Sequence, residues 1–244
     1  MLSFKFPRLS LRGAFAPIWC AVDVDIRDSS SLKPVELDVL SQVLRDAGSP
    51  LDDKALDQQV ESFSRVSLVT AEDDEVQGFL FGSLERIGGT PCVLWGLGAT
   101  RGDVEPAPVL GALTTELYRR AAISFPDEDV LVAGRFARPA VYQLFGTLQE
   151  PVPRPGYKPS GEDRAWGRRL AKRFGCDARY DDRAFRASGN GGPEPMLDID
   201  PGGEPEPAVA ELLAPLNAAK GDSLIAFGWA AAESLAEVLA SNGR

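Results

Sequence analysis

The sequence predicts an α/β protein with a mixed, mostly antiparallel sheet flanked by helices. One observation is the order of apolar segments: three consecutive strand patterns occur without a helix between them, and a strand-helix-strand unit follows. The other is the lack of the regular strand-helix alternation that a doubly wound sheet needs. The 244 residues are enough to bury a sizeable core without disulfides or metals.

In the first part of the chain, the spacing of apolar residues marks each element. Alternating apolar and acidic residues predict a half-buried strand at 19–26. Pro34 opens a helix whose leucines follow helical spacing until Gly48 ends it. A weaker helix at 51–63 follows, and then strands at 66–70, 76–87 and 92–100, the last two forming a hairpin across a turn at 88–91.

The second part of the chain continues the alternation of helices and strands. A helix begins at Pro108, because Leu110, Leu113 and Leu117 fall on one face of it. Another helix is indicated by Trp166, Leu170 and Phe174, which also share a face. The remaining predictions are strands at 129–136, 184–187 and 223–229 and helices at 138–145 and 231–239.

Residues 188–207 interrupt this pattern with the sequence SGNGGPEPMLDIDPGGEPEP. Glycine and proline occur throughout it, and acidic residues that include Asp198, Asp200, Glu204 and Glu206 make it negative, which predicts a solvated, flexible loop. The acidic residues do not follow the register of an EF-hand calcium loop. We therefore expect one domain, with a core over 14–187, this acidic loop, and a C-terminal strand and helix in 208–244 that complete the fold.

Composition excludes several kinds of chemistry. The chain contains no His, so Ser-His-Asp and Cys-His nucleophile pairs are excluded because both need an imidazole base. Zinc sites that use His are excluded for the same reason. Cys20, Cys92 and Cys176 are too few and too far apart for a cysteine-only zinc site or a disulfide framework. We expect no metal, and a reduced protein of the cytoplasm.

The charge balance bears on possible partners. Asp and Glu number 36 against 26 Lys and Arg, for a formal net charge of −10, so nucleic acid is not expected as a partner. A membrane is not expected either, because no stretch approaches the roughly 20 apolar residues that a span needs. Residues 1–22 carry basic but no acidic side chains, which predicts an ordinary N-terminal arm; a transit peptide would have a similar composition.

Three segments carry a resemblance to a known superfamily. They read VQGFLFGSLERIGGTPCVLWGLGATRGD, PAPVLGALTTELYRRAA and DVLVAGRFARPAVYQLFGTL, and in the last of them Tyr142 is followed four residues later by Gly146. In these segments and in the order of its elements, the chain resembles the GCN5-related N-acetyltransferase (GNAT) superfamily. The sequence likeness covers about a third of the chain and the rest follows only the element order.

The resemblance implies an acyl-CoA-dependent N-acyltransferase with a GNAT-like fold. The cofactor would be acetyl-CoA or another acyl-CoA, the acceptor a small-molecule amine that attacks the thioester directly, and the assembly a homodimer. In this superfamily the fourth and fifth strands splay apart and free backbone N–H groups to polarise the thioester carbonyl. Those groups would belong to Gly96, Leu97, Gly98 and Ala99, and Tyr142 would protonate the leaving thiolate.

The residues themselves leave other interpretations open. The glycines at Gly96 and Gly98 also suit a bulge or a tight strand exit with no ligand. Tyr142 also suits a packing position on an amphipathic helix. No acid lies on the predicted strand at 92–100, so Glu85 on the preceding strand, or a chain of waters, is the candidate base. The basic face of the helix at 164–173 is either a binding surface for phosphate or an acidic partner, or a solvated face.

The predicted cofactor-phosphate residues are Arg101 and Gly102, before the central helix, and Arg138, which could reach a phosphate as a charged donor. The following residues depart from the superfamily's glycine-rich loop. Pro106 and Pro108 lack the N–H groups that hold a phosphate at a helix N-terminus, and acidic residues lie between them and Gly102. This departure motivates a second hypothesis, a binding or regulatory protein with a GNAT-like fold that does not use acyl-CoA.

Overall fold

Nine strands and seven α-helices lie within residues 23–72 and 74–241, which are the residues that this computed structural model describes. The strands are β1 (Asp23–Asp28), β2 (Arg65–Thr70), β3 (Val76–Ile87), β4 (Thr90–Thr100), β5 (Val130–Phe136), β6 (Gln149–Val152), β7 (Tyr180–Asp181), β8 (Arg186–Ala187) and β9 (Ser223–Ala230). The α-helices are α1 (Pro34–Asp46), α2 (Asp53–Ser62), α3 (Pro106–Ser124), α4 (Pro139–Tyr142), α5 (Gly161–Arg173), α6 (Pro207–Leu213) and α7 (Ala232–Ser241).

All nine strands join one sheet, in the order β1-β2-β3-β4-β5-β9-β8-β7, with β6 also pairing with β9. Only the β4–β5 pair is parallel among the described strands, and each other pair is antiparallel. The structure therefore confirms the predicted α/β fold class with a mixed, mostly antiparallel sheet. The parallel pair arises because α3 carries the chain back over the sheet between β4 and β5.

The centre of the sheet is apolar and inaccessible to solvent. Every residue of β5 is buried, as are all residues of β4 after Thr90. Helix α3 packs against this centre through Leu110, Leu113 and Leu117, the face that helical spacing predicts. The predicted C-terminal strand is β9, which pairs with β5 along the whole length of β5.

Several short elements were not predicted from the sequence. They are β6, β7 and α6, none longer than seven residues, in which apolar periodicity is too brief to be recognised. The helix predicted at 138–145 is an α-helical turn that continues as a 3-10 helix over Gln143–Thr147. The predicted strand at 19–26 is described only from Asp23 onward, and the N-terminal arm at 1–22 lies outside the described residues.

The prediction of a solvated loop over residues 188–207 is wrong in the middle of that segment. Met196, Leu197 and Ile199 are buried, whereas the glycines at Gly202 and Gly203 are exposed. Leu197 and Ile199 are buried because they pack against Gly98 of β4, and Met196 lies beside them. None of the described helices is long and apolar enough to cross a membrane.

Candidate functional site

The parallel strands β4 and β5 separate from each other part of the way along the sheet. They pair from Cys92 opposite Leu131 to Trp95 opposite Gly134, and no further. Beyond Trp95, β4 remains paired with β3, while β5 remains paired with β9. We call the opening between the two diverging ends the fork. It is the position at which the resemblance places the reactive end of an acyl-CoA.

A β-bulge starts the divergence. Leu80 lies opposite Gly98 and Gly82 lies opposite Trp95, so β4 has one more residue than β3 across this interval. Gly96 and Leu97 together lie opposite a single residue of β3, Phe81. A bulge bends its own strand and increases the local twist, which turns the end of β4 away from β5. A bulge is thus present at Gly96, and the fork opens at the same point along β4.

The fork is filled by the chain itself. Gly98 pairs with Leu197 as a parallel β-bridge, and the Leu197 N–H donates to the carbonyl of Arg135 on β5 at 3.2 Å. The side chains of Leu197 and Ile199 are 0% and 1% exposed. A Cβ at Gly98 would meet both of them within 3.2 Å. Residues 196–199, which we call the fork segment, thus join the two strands where they would otherwise lie apart.

An N–H group of the predicted oxyanion edge is also satisfied. The Leu97 N–H donates to Oε1 of Gln59 on α2, at 2.8 Å. Helix α2 comes this close because residue 96 is glycine: a Cβ there would lie 2.7 Å from Gln59 Oε1 and 2.7 Å from the Phe63 ring. Backbone N–H groups that already have protein partners are not available to polarise a thioester carbonyl.

Arg138 forms an exposed ion pair with the fork segment. This residue precedes α4, and its Nε lies 2.5 Å from an Asp198 carboxylate oxygen. The packing around the carboxyl raises the pKa of Asp198 above its ordinary value, and the adjacent Arg138 acts in the opposite direction. The Arg138 guanidinium, which the sequence assigns to a cofactor phosphate, is thus paired with a carboxylate of the chain itself.

Arg101 is bound by carboxylates instead of facing an open loop. It pairs with Glu75 and with Asp103, whose oxygen lies 3.1 Å from Arg101 Nε. Gly102 lies against the end of α1, where a Cβ would come within 2.5 Å of the Asp46 carbonyl oxygen. Arg101 and Gly102 therefore attach the β4–α3 connection to neighbouring elements.

The N-terminus of α3 offers few donors to a phosphate. Pro106 and Pro108 both lie in the first turn, so two of the N–H groups normally exposed there are missing. The N-cap residue is Glu105, whose negative charge opposes anion binding. Together with the occupied fork, this arrangement does not fit an acyl-CoA.

Tyr142 lies in the core, with its hydroxyl turned to the backbone. The hydroxyl donates to the Pro153 carbonyl, and the ring packs against Phe136 and Phe145 with centroids 6.0 and 6.2 Å away. Burial raises the pKa of Tyr142 to about 12. The phenol is thus protonated at neutral pH, but its proton is held by a neighbouring carbonyl.

A cleft of about 740 Å³ opens beside the fork. Its walls are α2, the C-terminal end of α5 and the loop at 190–196, and it reaches β4 at Trp95 and Gly96. Of the residues predicted at the acyl-CoA site, only Gly96 lines the cleft, and Lys172 and Arg173 come from the helix at 164–173 that is a candidate surface for phosphate. The basic residues of the lining are Lys54, Arg135, Lys172, Arg173 and Arg179, and the acidic ones are Asp52 and Glu194.

Part of this charge is paired at the bottom of the cleft. Glu194 accepts from Arg135 at 2.8 Å and from Arg179 at 3.0 Å, and the Arg135 and Glu194 side chains are only 9% and 10% exposed. Arg173 pairs with Glu85 at 2.6 Å, so the candidate base Glu85 is bound to a guanidinium.

The sequence contained a signal for the fork segment that the surrounding glycines and prolines obscured. Residues 196–200 read Met-Leu-Asp-Ile-Asp, which alternates apolar and acidic residues after the first position. The same alternation predicts the strand at 19–26. The cleft had a partial signal, because Lys172 and Arg173 belong to the basic helix at 164–173. Lys54 on the opposite wall comes from a segment more than 100 residues earlier, and no local pattern connects the two.

Comparison with known proteins gives remote structural likeness only. No protein-family model matches the chain, and no curated protein sequence matches it. A GNAT family acetyltransferase from Brucella melitensis in complex with acetyl-CoA is similar over 51% of this chain and 82% of its own, with 16% identity and a TM-score of 0.36. A GNAT family N-acetyltransferase from Escherichia coli in complex with CoA covers 52% of this chain and 69% of its own, with 19% identity and a TM-score of 0.38.

A third similar structure is an acyl-CoA N-acyltransferase from Pseudomonas aeruginosa, which covers 52% of this chain and 88% of its own at 16% identity and a TM-score of 0.39. These structures come from the superfamily that the sequence resembles. Likeness at this level of identity and superposition says nothing about substrate or activity.

Proposed function

We propose that the chain is a binding or regulatory protein with a GNAT-like sheet, and that it does not use acyl-CoA. The observation that carries this proposal is the position of Leu197, bridged to Gly98 of β4 and hydrogen-bonded to Arg135 of β5. The chain's own backbone takes the place between the strands where the thioester end of a cofactor would have to lie.

The energy needed to empty the fork supports the proposal. Leu197 and Ile199 are both fully buried, and exposing a buried aliphatic side chain costs about 1.5–3 kcal/mol. Withdrawing the two together therefore costs about 3–6 kcal/mol before any hydrogen bond is counted. A ligand with micromolar affinity binds with about −8 kcal/mol in total. The cost of exposing the two side chains is comparable with that binding free energy.

The phosphate end of the cofactor gains little to offset this cost. The Arg101 and Arg138 guanidinium groups are already paired with Glu75 and Asp198. An incoming phosphate would have to compete with these carboxylates at a helix start that carries two prolines. Neither end of an acyl-CoA therefore finds a prepared site.

A second function is favoured by one observation. The β4 bulge and the divergence of β4 from β5 are the backbone features that acyl transfer needs, and both are present. If residues 196–199 withdraw, the chain becomes an acyl-CoA-dependent N-acyltransferase for a small amine. Gly202 and Gly203, both with positive φ, follow the fork segment and could act as its hinge.

Calorimetric titration of the full chain with S-acetylpantetheine and with acetyl-CoA separates the two functions. S-acetylpantetheine carries the thioester arm without phosphates, so it reports on the fork alone. We expect no heat of binding with it, and no release of thiol from acetyl-CoA in the presence of small amines. Binding of S-acetylpantetheine together with amine-dependent thiol release would contradict the proposal and establish the acyltransferase.

A variant that weakens the anchoring of the fork segment provides the positive control. Leu197→Gly with Ile199→Gly removes the two buried side chains that anchor the fork segment, and circular dichroism checks that the variant remains folded. If the fork segment is what blocks the cofactor, this variant gains affinity for S-acetylpantetheine while Val35→Gly with Val39→Gly, two exposed changes on α1, gains none. If neither variant binds S-acetylpantetheine, the proposal of a binding or regulatory protein is retained. The fork would then be unable to bind the thioester arm even without these side chains.

A further inference from the structure

The cleft has a charge opposite to that of the whole protein. The chain carries a formal net charge of −10. The lining of the cleft instead holds five basic and two acidic residues. Glu85, which pairs with Arg173 from β3, adds a third negative charge, and the cleft remains positive. A positively charged cleft in a negatively charged protein attracts negatively charged ligands and raises their local concentration.

The pairing shows which charges remain for a ligand. Arg135 and Arg179 both bond to Glu194, and Arg173 bonds to Glu85 and to the Ser62 carbonyl. Lys54 and Lys172 have no carboxylate within ion-pair distance among the described residues. Lys54 lies in the first turn of α2 and Lys172 in the last turn of α5, so the two ammonium groups come from different walls.

The rest of the lining suits an organic molecule. Phe63 and Phe174 contribute apolar surface, and Gln58 and Asn190 contribute side-chain amides. The volume of about 740 Å³ lies in the range of roughly 300–1,000 Å³ that small-molecule sites occupy. The bonded Arg135–Glu194–Arg179 group gives the cleft a fixed polar floor.

From these observations we infer that the cleft binds a small organic anion with at least two negative charges, such as a dicarboxylate or a phosphate ester. Lys54 and Lys172 supply the charges that the ligand neutralises, and the aromatic residues contact its carbon skeleton. A monoanion would leave one of the two ammonium groups unpaired. This inference deepens the proposed function, on which it rests for the role of the cleft, by naming the class of ligand.

The test is calorimetric titration of the full chain at constant ionic strength. Succinate probes the dicarboxylate class, inorganic pyrophosphate probes the phosphate class, and acetate is the monoanionic reference. Three proteins are compared: the wild type, the double variant Lys54→Gln/Lys172→Gln, and the control Lys158→Gln/Lys220→Gln. All four lysines are exposed, and the control pair removes the same charge outside the cleft.

We expect succinate or pyrophosphate to bind the wild type at least ten times more tightly than acetate does. The cleft variant should lose at least tenfold in affinity for that probe, and the control variant should lose less than twofold. The probe that binds identifies the class of anion. If neither succinate nor pyrophosphate binds, or if both double variants weaken binding equally, the cleft is not the site and the inference is wrong.

The inference and the proposed function fail in different ways. S-acetylpantetheine has no negative charge, so its binding would not depend on Lys54 or Lys172. Its binding would contradict the proposed function and would not test the inference about the cleft. In that case the inference about the cleft would still be supported if the Lys54→Gln/Lys172→Gln variant loses affinity for succinate or pyrophosphate. Conversely, a chain that binds neither S-acetylpantetheine nor the dianions keeps its closed fork and loses only the assignment of the cleft.

Discussion

The hydroxyl of Tyr142 shows how one hydrogen bond decides between two roles. A phenol in a reactive fork would need its proton directed at the leaving sulfur. Here the proton is directed at the Pro153 carbonyl, and the ring is part of an aromatic cluster with Phe136 and Phe145. The residue type that suggests a proton donor in the sequence is thus used to hold α4 against the segment after β6.

Replacing Tyr142 by Phe tests this structural role. The change leaves the ring in place and deprives the Pro153 carbonyl of its donor, and a buried group without a partner costs about 1–3 kcal/mol. We expect urea unfolding of Tyr142→Phe to show a loss of that size. Tyr157→Phe is the matched control, because its hydroxyl bonds Asp163 at the surface, and it should change stability by less than about 0.5 kcal/mol.

An unchanged stability of Tyr142→Phe would show that the hydroxyl is free to act elsewhere. In that case its role as a proton donor would have to be considered again.

At the scale of single elements, the fork segment is the feature that departs most from expectation. Glycine and proline on both sides of it predict a loop, and most of residues 188–207 is one. Sequence reasoning could not anticipate the burial of Leu197, because burial depends on the gap that the bulge opens about 100 residues earlier in the chain. A local pattern cannot show which distant edge a short strand will join.

Shortening Leu197 measures how firmly the segment is packed. Leu197→Ala removes buried methyl groups from the fork, and such changes in well-packed cores cost about 2–5 kcal/mol. The measurement is again the midpoint and slope of urea unfolding. Ile123→Ala on α3, where the side chain is 55% exposed, is the control and should cost less than about 0.5 kcal/mol. Equal effects of the two changes would place Leu197 outside the core.

At the scale of the whole molecule, the sheet ties the C-terminal part of the chain to the rest. β9 lies between β5 and β8, so removing it would expose one edge of a strand that is buried throughout. We expect a chain that ends at residue 206 to lack a cooperative unfolding transition. A chain that ends at residue 231 keeps β9 and lacks α7. It should still unfold cooperatively, with its midpoint at a lower denaturant concentration than that of the full chain.

A cooperative transition in the chain ending at 206 would show that the C-terminal part is not needed for folding. The prediction of a single domain would then be wrong.

Most of the fold was predictable because its long elements carry strong local patterns. The twelve residues of β3 and the leucine face of α3 are examples, and their positions follow from the sequence almost to the residue. The candidate site was less predictable. Gly96 marks the bulge, but Glu75 and Asp198, which pair with Arg101 and Arg138, are brought close only by folding.

Residues 196–199 fill the fork as a stable part of the sheet. Amide hydrogen exchange of the full chain, followed at the Leu197 and Leu97 N–H groups with and without acetyl-CoA, tests this arrangement most directly. We predict slow exchange at both amides, comparable with the centre of β4, and no change on adding acetyl-CoA. Rapid exchange at Leu197 in the free protein, or a rise on adding acetyl-CoA, would show that the segment leaves the fork and contradict the account.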